Sequence, residues 1–173
     1  QESSTVLTAH RRIDHGYDSR RNPVRDTMSA GGTSYALTQR PFDDRGQLEC
    51  EAVRMNPVAY TSLPASACTL TPPGAFGPDR ITRNVRDAAG QLLQVQRAYG
   101  TSLQQTYAAY TYGANGLRQT VRDANNNLTT FEYDGFDRLV KLRFPVAATG
   151  ASQSSVTDYE QYGYDAVGNR TSV

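Results

Sequence analysis

The two histidines of the chain lie near its start, where they could bind a metal ion or transfer protons. His10 and His15 flank Asp14 in the sequence. A zinc site needs a further ligand on a rigid element, and in a strand the two imidazoles would lie on opposite faces because successive side chains alternate. We therefore interpret this group as exposed polar residues.

Other residue patterns with catalytic or phosphate-binding chemistry are missing from the sequence. There is no nucleophile elbow, zinc-protease helix motif, dinucleotide fingerprint or Walker loop. Asp43 and Asp44 are better explained by a turn than by acid–base catalysis. Asp123, Asn125 and Asn127 have calcium-loop spacing, but Leu128 stands where such a loop needs glycine, and its flanks look like strands. The sequence predicts no enzyme, no metal and no cofactor.

The only two cysteines, Cys50 and Cys68, accompany a proline-rich stretch, residues 51–78, which holds five of the eight prolines. Proline removes a backbone donor, so we expect an irregular insertion between two hairpins. The cysteine spacing excludes a Cys-x-x-Cys site. We predict a disulfide, which would contribute roughly 3 kcal/mol by restricting the unfolded chain; two free thiols are the alternative.

Tyrosines are concentrated in two short stretches. Their rings could stack on sugar faces, and within a strand Tyr110 and Tyr112, or Tyr162 and Tyr164, would share one face. The alternative is that these rings pack one hairpin against the next. The candidate glycan contacts are Tyr107, Tyr110, Tyr112, Tyr159, Tyr162 and Tyr164.

Charge and composition argue against further classes of function. The 18 basic and 17 acidic residues leave a net charge of +1, which offers no surplus for binding nucleic acid. No apolar run approaches the ~18 residues of a membrane helix. The acidic residues are twelve aspartates and five glutamates, and aspartate favours turns where glutamate favours helices. The elements that position the candidate residues should therefore be strands and turns.

An internal repeat supplies those turns. An aspartate, usually after an aromatic or apolar residue, recurs with glycine, asparagine or aspartate three positions later. Such an aspartate accepts a backbone hydrogen bond, and the later residue tolerates a left-handed conformation. Short strand-like segments flank each turn, and no window has a helical period. The chain is predicted to be all-β, built of tandem antiparallel β-hairpins. The predicted turn residues are Asp43, Gly46, Asp87, Gly90, Asp123, Asn126, Tyr133, Asp134, Asp137, Tyr164, Asp165 and Gly168.

Two copies of this repeat resemble the signature of the YD-repeat (Rhs) family: they begin at Tyr133-Asp134 and at Tyr164-Asp165. The resemblance covers residues 78–173, with weaker copies in residues 10–50. It implies repeats that form spiralling β-sheets. In bacterial Rhs polymorphic toxins and Tc-type toxins such sheets close into a shell around a toxic domain, and in teneurins they form an adhesive extracellular barrel.

The chain should therefore be one hairpin-repeat domain, residues 1–173, cut from a longer protein as an open fragment of such a shell or barrel. Residues 147–155 are small and polar, and we expect a flexible connection there. The resemblance implies a structural scaffold module of a secreted or cell-surface bacterial protein, whose partners are neighbouring repeats. The alternatives are a carbohydrate-binding or adhesive module, and a fibre element in which copies of the chain join through open strand edges.

Overall fold

The computed structural model describes residues 11–172, so His10 lies outside the described residues. This part of the chain is almost entirely β-structure, with one short 3₁₀ helix, Pro57–Thr61. None of its helices is long and apolar enough to cross a membrane. The strands are β1 (Arg12–Tyr17), β2 (Pro23–Ala30), β3 (Thr33–Gln39), β4 (Cys50–Arg54), β5 (Arg80–Arg86), β6 (Leu92–Arg97), β7 (Gln105–Tyr112), β8 (Arg118–Asp123), β9 (Leu128–Tyr133), β10 (Leu139–Pro145), β11 (Ser154–Gln161), β12 (Gly163–Tyr164) and β13 (Arg170–Ser172).

Strands β1 to β11 are hydrogen-bonded in sequence order in one sheet, and β12 pairs with β13. The pairings are antiparallel, as in β1 with β2 and β7 with β8, which short connections permit. The predicted all-β fold of tandem hairpins is thus confirmed. In four hairpins the pairing register shifts at the tyrosine that precedes the turn, namely at Tyr17, Tyr112, Tyr133 and Tyr164, and such a shift marks a β-bulge.

The chain divides into two compact units. The first consists of residues 11–84 together with Arg97–Gln104, and the second consists of Val85–Gln96 together with residues 105–172. The first unit therefore contains the proline-rich insertion, and the second contains the hairpins from β7 to β13.

The first unit has a small apolar core around a disulfide. Cys50 and Cys68 are bonded, with their Cα atoms 5.4 Å apart, so the predicted disulfide is confirmed. Cys50, Ala52, Ala67 and Ile81 are each at most 1 % exposed. Most of these side chains are small, so they leave little apolar area to hold the insertion, and polar contacts must contribute as well.

A buried ion pair joins the two ends of the insertion. The side chains of Arg54 and Asp79 are 0 % and 1 % exposed, and Arg54 Nη1 lies 2.7 Å from Asp79 Oδ2. Arg54 also donates to the Thr69 carbonyl at 2.7 Å and to Gln39 Oε1 at 2.6 Å. The guanidinium is therefore paired across β3, β4 and the insertion, as a buried charge requires.

The Asp79 carboxylate is equally well paired. Its Oδ1 accepts from the Met55 N–H at 2.9 Å, and its Oδ2 accepts from both the N–H and the hydroxyl of Thr71 at 2.8 Å. Burial by itself raises the pKa of this carboxyl, but these hydrogen bonds and the Arg54 guanidinium outweigh burial and hold the pKa below its usual range. The carboxyl is therefore ionised in the folded chain at neutral pH.

Side chains replace the backbone donors that proline removes from the insertion. Gln39 donates to the Pro64 carbonyl and Asn56 to the Pro72 carbonyl, both at 2.9 Å. Tyr60 donates its hydroxyl to the Arg54 carbonyl at 3.0 Å. The insertion is irregular in its backbone, yet it is hydrogen-bonded to the strands beside it.

Replacing Asp79 with asparagine should lower the free energy of unfolding by roughly 3–5 kcal/mol, because Arg54 would keep a buried charge without a counter-charge. Urea denaturation followed by circular dichroism measures this. Asp14→Asn is the control: Arg12 and Asp14 form an ion pair whose side chains are 72 % and 47 % exposed, so its loss should cost less than about 1 kcal/mol. Equal losses in the two variants would contradict the role of the buried pair.

Candidate functional site: the tyrosine and aspartate turns

Seven turns among residues 11–172 share one backbone geometry. In each, the N–H of the first residue donates to the carbonyl of the fifth, and the N–H of the fourth donates to the carbonyl of the first, all at 2.8–3.1 Å. This is the bonding of a type I turn closed by a bulge. The first residues of the seven turns are Asp18, Asp43, Asp87, Gly113, Asp123, Asp134 and Asp165.

The fourth residue of every turn has a positive φ, between 62° and 90°. Glycine accepts this conformation without strain, and asparagine and aspartate tolerate it better than other residues do. Arg21 is the one fourth residue of another type. The fourth residues are Arg21, Gly46, Gly90, Gly116, Asn126, Asp137 and Gly168.

The aspartate side chain accepts hydrogen bonds from the backbone N–H groups of its own turn. The Asp134 carboxylate accepts from the N–H of Phe136 at 2.9 Å and from that of Arg138 at 3.0 Å. Asp18, Asp43, Asp123 and Asp165 accept from the third and fifth residues of their turns in the same way. Each such carboxylate therefore pairs two N–H groups that the turn leaves without a backbone partner.

Hydrogen bonds within the turn lower the pKa of four of the turn aspartates. Hydrogen bonds from the fifth residue of the turn are the largest cause at Asp18, Asp123, Asp134 and Asp165. A carboxyl that is bound as an ion in the folded chain resists protonation. The charged form of the turn aspartates is therefore part of the folded structure.

The tyrosines before the turns at the end of β7, at the end of β9 and after β12 form a ladder within the second unit. Each hydroxyl donates to a backbone carbonyl at 2.8–2.9 Å. The accepting residue always lies five positions after the first residue of an earlier turn. The pairs are Tyr112 with Leu92 of the Asp87 turn, Tyr133 with Arg118 of the Gly113 turn, and Tyr164 with Leu139 of the Asp134 turn. We call these three bonds the tyrosine ladder.

Arg138 adds a second link between neighbouring turns. Its guanidinium forms an ion pair with Asp134 at 2.7 Å and lies 4.6 Å from the ring centroid of Tyr164, within cation–π range. It also lies 5.2 Å from the Phe136 ring and contacts the Asp165 carbonyl at 3.5 Å. The aspartate of one turn thus holds, through Arg138, the tyrosine of the next.

The sequence contained no direct signal for the partners of residues 147–155. Asn126 donates to the Gly150 carbonyl at 2.9 Å and accepts from the Ser152 N–H at 3.1 Å. Asn127 accepts from the Gly150 N–H at 3.2 Å, and Gly150 has a φ of 79°. The asparagines of the Asp123 turn therefore join this connection to the turn by hydrogen bonds.

The candidate glycan tyrosines are engaged with the protein itself. Cations lie over four of the rings at 4.4–5.3 Å, and the hydroxyls of Tyr112 and Tyr164 bind the backbone. Of the six candidate tyrosines, only Tyr107, at 43 % exposure, and Tyr159, at 40 %, are strongly exposed. Covered rings are poor stacking platforms, so carbohydrate binding is not supported. The ring and cation pairs are Tyr110 with Arg118, Tyr159 with Lys141, Tyr162 with Arg170 and Tyr164 with Arg138.

His15 belongs to a row of charges in the first unit. Its Nδ1 lies 2.6 Å from Asp26 Oδ1, Arg40 lies 2.6 Å from Asp26 Oδ2, and Arg40 also pairs with Glu51 at 2.8 Å. Hydrogen bonds from Arg40 and His15 lower the pKa of Asp26. Within the described part of the chain no group of three or more metal-ligating side chains is close enough to hold an ion.

Comparison with known proteins identifies the repeat and the fold. Residues 112–149, which contain the turns at Gly113, Asp123 and Asp134, match the family described as RHS Repeat. No curated protein sequence matches the chain. Two crystal structures, of TcdB2-TccC3 and of TcdB2-TccC3-TEV, are similar to 89 % and 92 % of this chain, each with a TM-score of 0.60 and 18 % identity. The chain spans about 7 % of the length of those proteins, and at this identity the similarity concerns the fold.

The chain should lose stability in acid. Because Asp123, Asp134 and Asp165 have a lowered pKa when folded, their contribution to stability is complete above the unfolded value of about 4 and disappears as the pH falls through the folded pKa. Urea denaturation at pH values from 6 down to 2.5 measures the loss. Asp134→Asn should lose less between pH 6 and pH 3 than the unchanged chain, and identical losses would contradict this assignment.

Gly113→Asp should stabilise the chain by about 1 kcal/mol, because a carboxylate there could accept the N–H groups of Asn115 and Leu117 and because glycine is more flexible when unfolded. An added Cβ would meet Asn115 Oδ1 at 2.8 Å and Gln119 Nε2 at 3.1 Å, and both are ends of side chains that can rotate. Thermal denaturation tests this. In the same turn Gly116→Val, at a φ of 79°, should destabilise by roughly 1–3 kcal/mol.

Proposed function

We propose that this chain, which contains an RHS repeat at residues 112–149, belongs to the YD-repeat (Rhs) family and is a scaffold segment of a secreted or cell-surface bacterial toxin of the Rhs or Tc type. It carries no reaction of its own in this role. Its partners are the neighbouring repeats of a longer protein. The tyrosine ladder is the observation that carries the proposal.

The ladder supports a scaffold because the side chains that repeat along the sequence bind the protein itself. The three tyrosine hydroxyls bind backbone carbonyls of earlier hairpins, and the aspartates bind the N–H groups of their own turns. A repeat protein is stabilised by contacts between neighbouring units. A binding module would instead keep such groups available for a ligand.

Two further observations agree with a toxin scaffold outside the cytosol. The fold is that of a small part of the TcdB2-TccC3 chains. Cys50 and Cys68 form a disulfide. Disulfides persist in oxidising compartments and are rare in the cytosol. Both features fit a segment of a large exported protein.

Assembly of copies through strand edges is a second candidate, and β11 favours it. Six of its eight residues are exposed, among them Val156 at 76 %, and an exposed strand edge can pair with another chain. Light scattering over a wide concentration range separates the candidates, because a fibre element grows with concentration and a scaffold segment stays at one size.

The ladder bonds should each contribute about 1 kcal/mol to the free energy of unfolding, because tyrosine to phenylalanine leaves a backbone carbonyl without its donor. Tyr133→Phe and Tyr164→Phe test this in urea. Tyr17→Phe is the matched control: Tyr17 also precedes a turn but is 60 % exposed, so its change should be near zero.

Binding by the isolated chain on a glycan array is the complementary test of function. A scaffold segment binds no glycan, and the ladder variants lose stability whether or not glycans are present. Specific glycan binding that disappears in Tyr107→Ala and leaves the stability unchanged would contradict the scaffold proposal and favour an adhesive module.

A further inference from the structure

The Gly113 turn contains the only asparagine of the chain that is followed by glycine, in Asn115-Gly116. Both residues are exposed, so water reaches the Asn115 amide and the peptide bond that follows it. Glycine has no Cβ, and therefore no side chain of residue 116 hinders an approach to its own nitrogen. These are the conditions in which the backbone of the next residue can react with an asparagine amide.

Two contacts orient the Asn115 side chain. Its Nδ2 donates to Asp137 Oδ1 at 2.7 Å, and its Oδ1 lies 3.4 Å from the Leu117 nitrogen. Asp137 is the fourth residue of the Asp134 turn, so the first contact joins the Gly113 turn to the Asp134 turn. Only the amide can make this bond, because an ionised carboxylate at position 115 would have no hydrogen to donate.

The tyrosine ladder joins the same two turns, since the Tyr133 hydroxyl donates to the Arg118 carbonyl at 2.9 Å. The bond from Asn115 to Asp137 is a second link between them. Its acceptor is a carboxylate, and hydrogen bonds to charged acceptors are stronger than those between neutral groups. Any chemistry that removes the Asn115 amide would therefore weaken the contact between these neighbouring hairpins.

We propose that Asn115 is a site of spontaneous deamidation and that its conversion breaks the link to Asp137. The Gly116 nitrogen attacks Asn115 Cγ, the new bond closes a five-membered succinimide ring, and the bond from Cγ to Nδ2 breaks. Nδ2 leaves as ammonia, with the proton that the Gly116 nitrogen gives up. Water then opens the ring at either carbonyl and leaves aspartate or isoaspartate at position 115.

The product places a negative charge beside another one. The Asn115 side chain reaches within 2.7 Å of Asp137 Oδ1, and two carboxylates at such a distance repel each other. The donor is lost at the same time. Deamidation therefore turns an attraction between the two turns into a repulsion. The inference is independent of the scaffold proposal, because the reaction needs only the exposed turn and its two residues.

The turn itself controls the rate. The Gly116 N–H donates to the Gly113 carbonyl at 2.9 Å, so the nitrogen can attack only when the turn opens. Exposed turns open more readily than the core of a fold. The reaction should therefore be slower in the folded chain than in urea, and still faster at Asn115 than at asparagines that precede a residue with a side chain.

Incubation of the full chain at pH 8, followed by peptide mass spectrometry over several weeks, tests the modification. Asn115 should convert at least tenfold faster than Asn126 and Asn169, which are exposed in two other turns and precede asparagine and arginine. The product should contain isoaspartate, and conversion should be slower at pH 6, because the attacking nitrogen must lose its proton. An unchanged Asn115 would overturn the proposal. So would a product without isoaspartate, since direct hydrolysis of the amide gives aspartate alone.

Substitutions test the consequence. Asn115→Asp should lower the melting temperature by about 2–4 °C, as expected for the loss of one hydrogen bond in a chain of this size. Asn115→Asp combined with Asp137→Asn should recover most of the loss, because the new amide can donate to the new carboxylate.

Asn125→Asp is the matched control for the added charge. Asn125 is the exposed third residue of the Asp123 turn, and within residues 11–172 its side chain forms no hydrogen bond. Its change should leave the melting temperature nearly unaltered. Equal melting temperatures of Asn115→Asp and the unchanged chain would overturn the proposal, and so would a double variant that is as unstable as Asn115→Asp.

Discussion

A carboxylate that accepts two backbone N–H groups is the interaction on which five of the seven turns depend. A tight turn cannot pair all of its own amides, and an unpaired amide is costly wherever water is excluded. The aspartate supplies the missing acceptor within five residues, and the positive φ of the fourth residue brings the chain back in register. In three turns of the second unit, the residue before the closed turn is a tyrosine that lies at a bulge and reaches an earlier hairpin.

The first unit is held together by different interactions. Its core consists mainly of small side chains around the disulfide, so the long insertion is held by Arg54 and Asp79 and by side chains that bind proline carbonyls. A buried pair of this kind is costly to break but adds little net stability over an apolar core of the same shape. What it provides is a unique geometry, since the guanidinium is satisfied only when β3, β4 and the insertion are all in place.

The parts of this structure that could be predicted from the sequence are those whose causes lie close together in the chain. The turn at Asp134 needs only the residues up to Arg138, and the two cysteines can pair in only one way. The partners of Arg54 and of Asn126 lie 25 and 24 residues away, with nothing local to mark them. The tyrosine ladder could not be predicted from the sequence for another reason, because its acceptors are backbone carbonyls, which every residue carries. The tyrosines were therefore visible as a cluster, and their binding to earlier hairpins was not.

The direction of the tyrosine ladder has a consequence for the order of folding. Each hydroxyl binds a residue that precedes it, 15 to 25 positions earlier in the chain, so each hairpin with a ladder tyrosine finds the acceptor of that tyrosine among residues that have already been synthesised. Loops of this length close quickly, and a fold made of short-range contacts forms fast. A chain that leaves the ribosome or crosses a membrane from its N-terminus can therefore add hairpins one at a time, and no finished hairpin of the ladder waits for a later one to complete its bond.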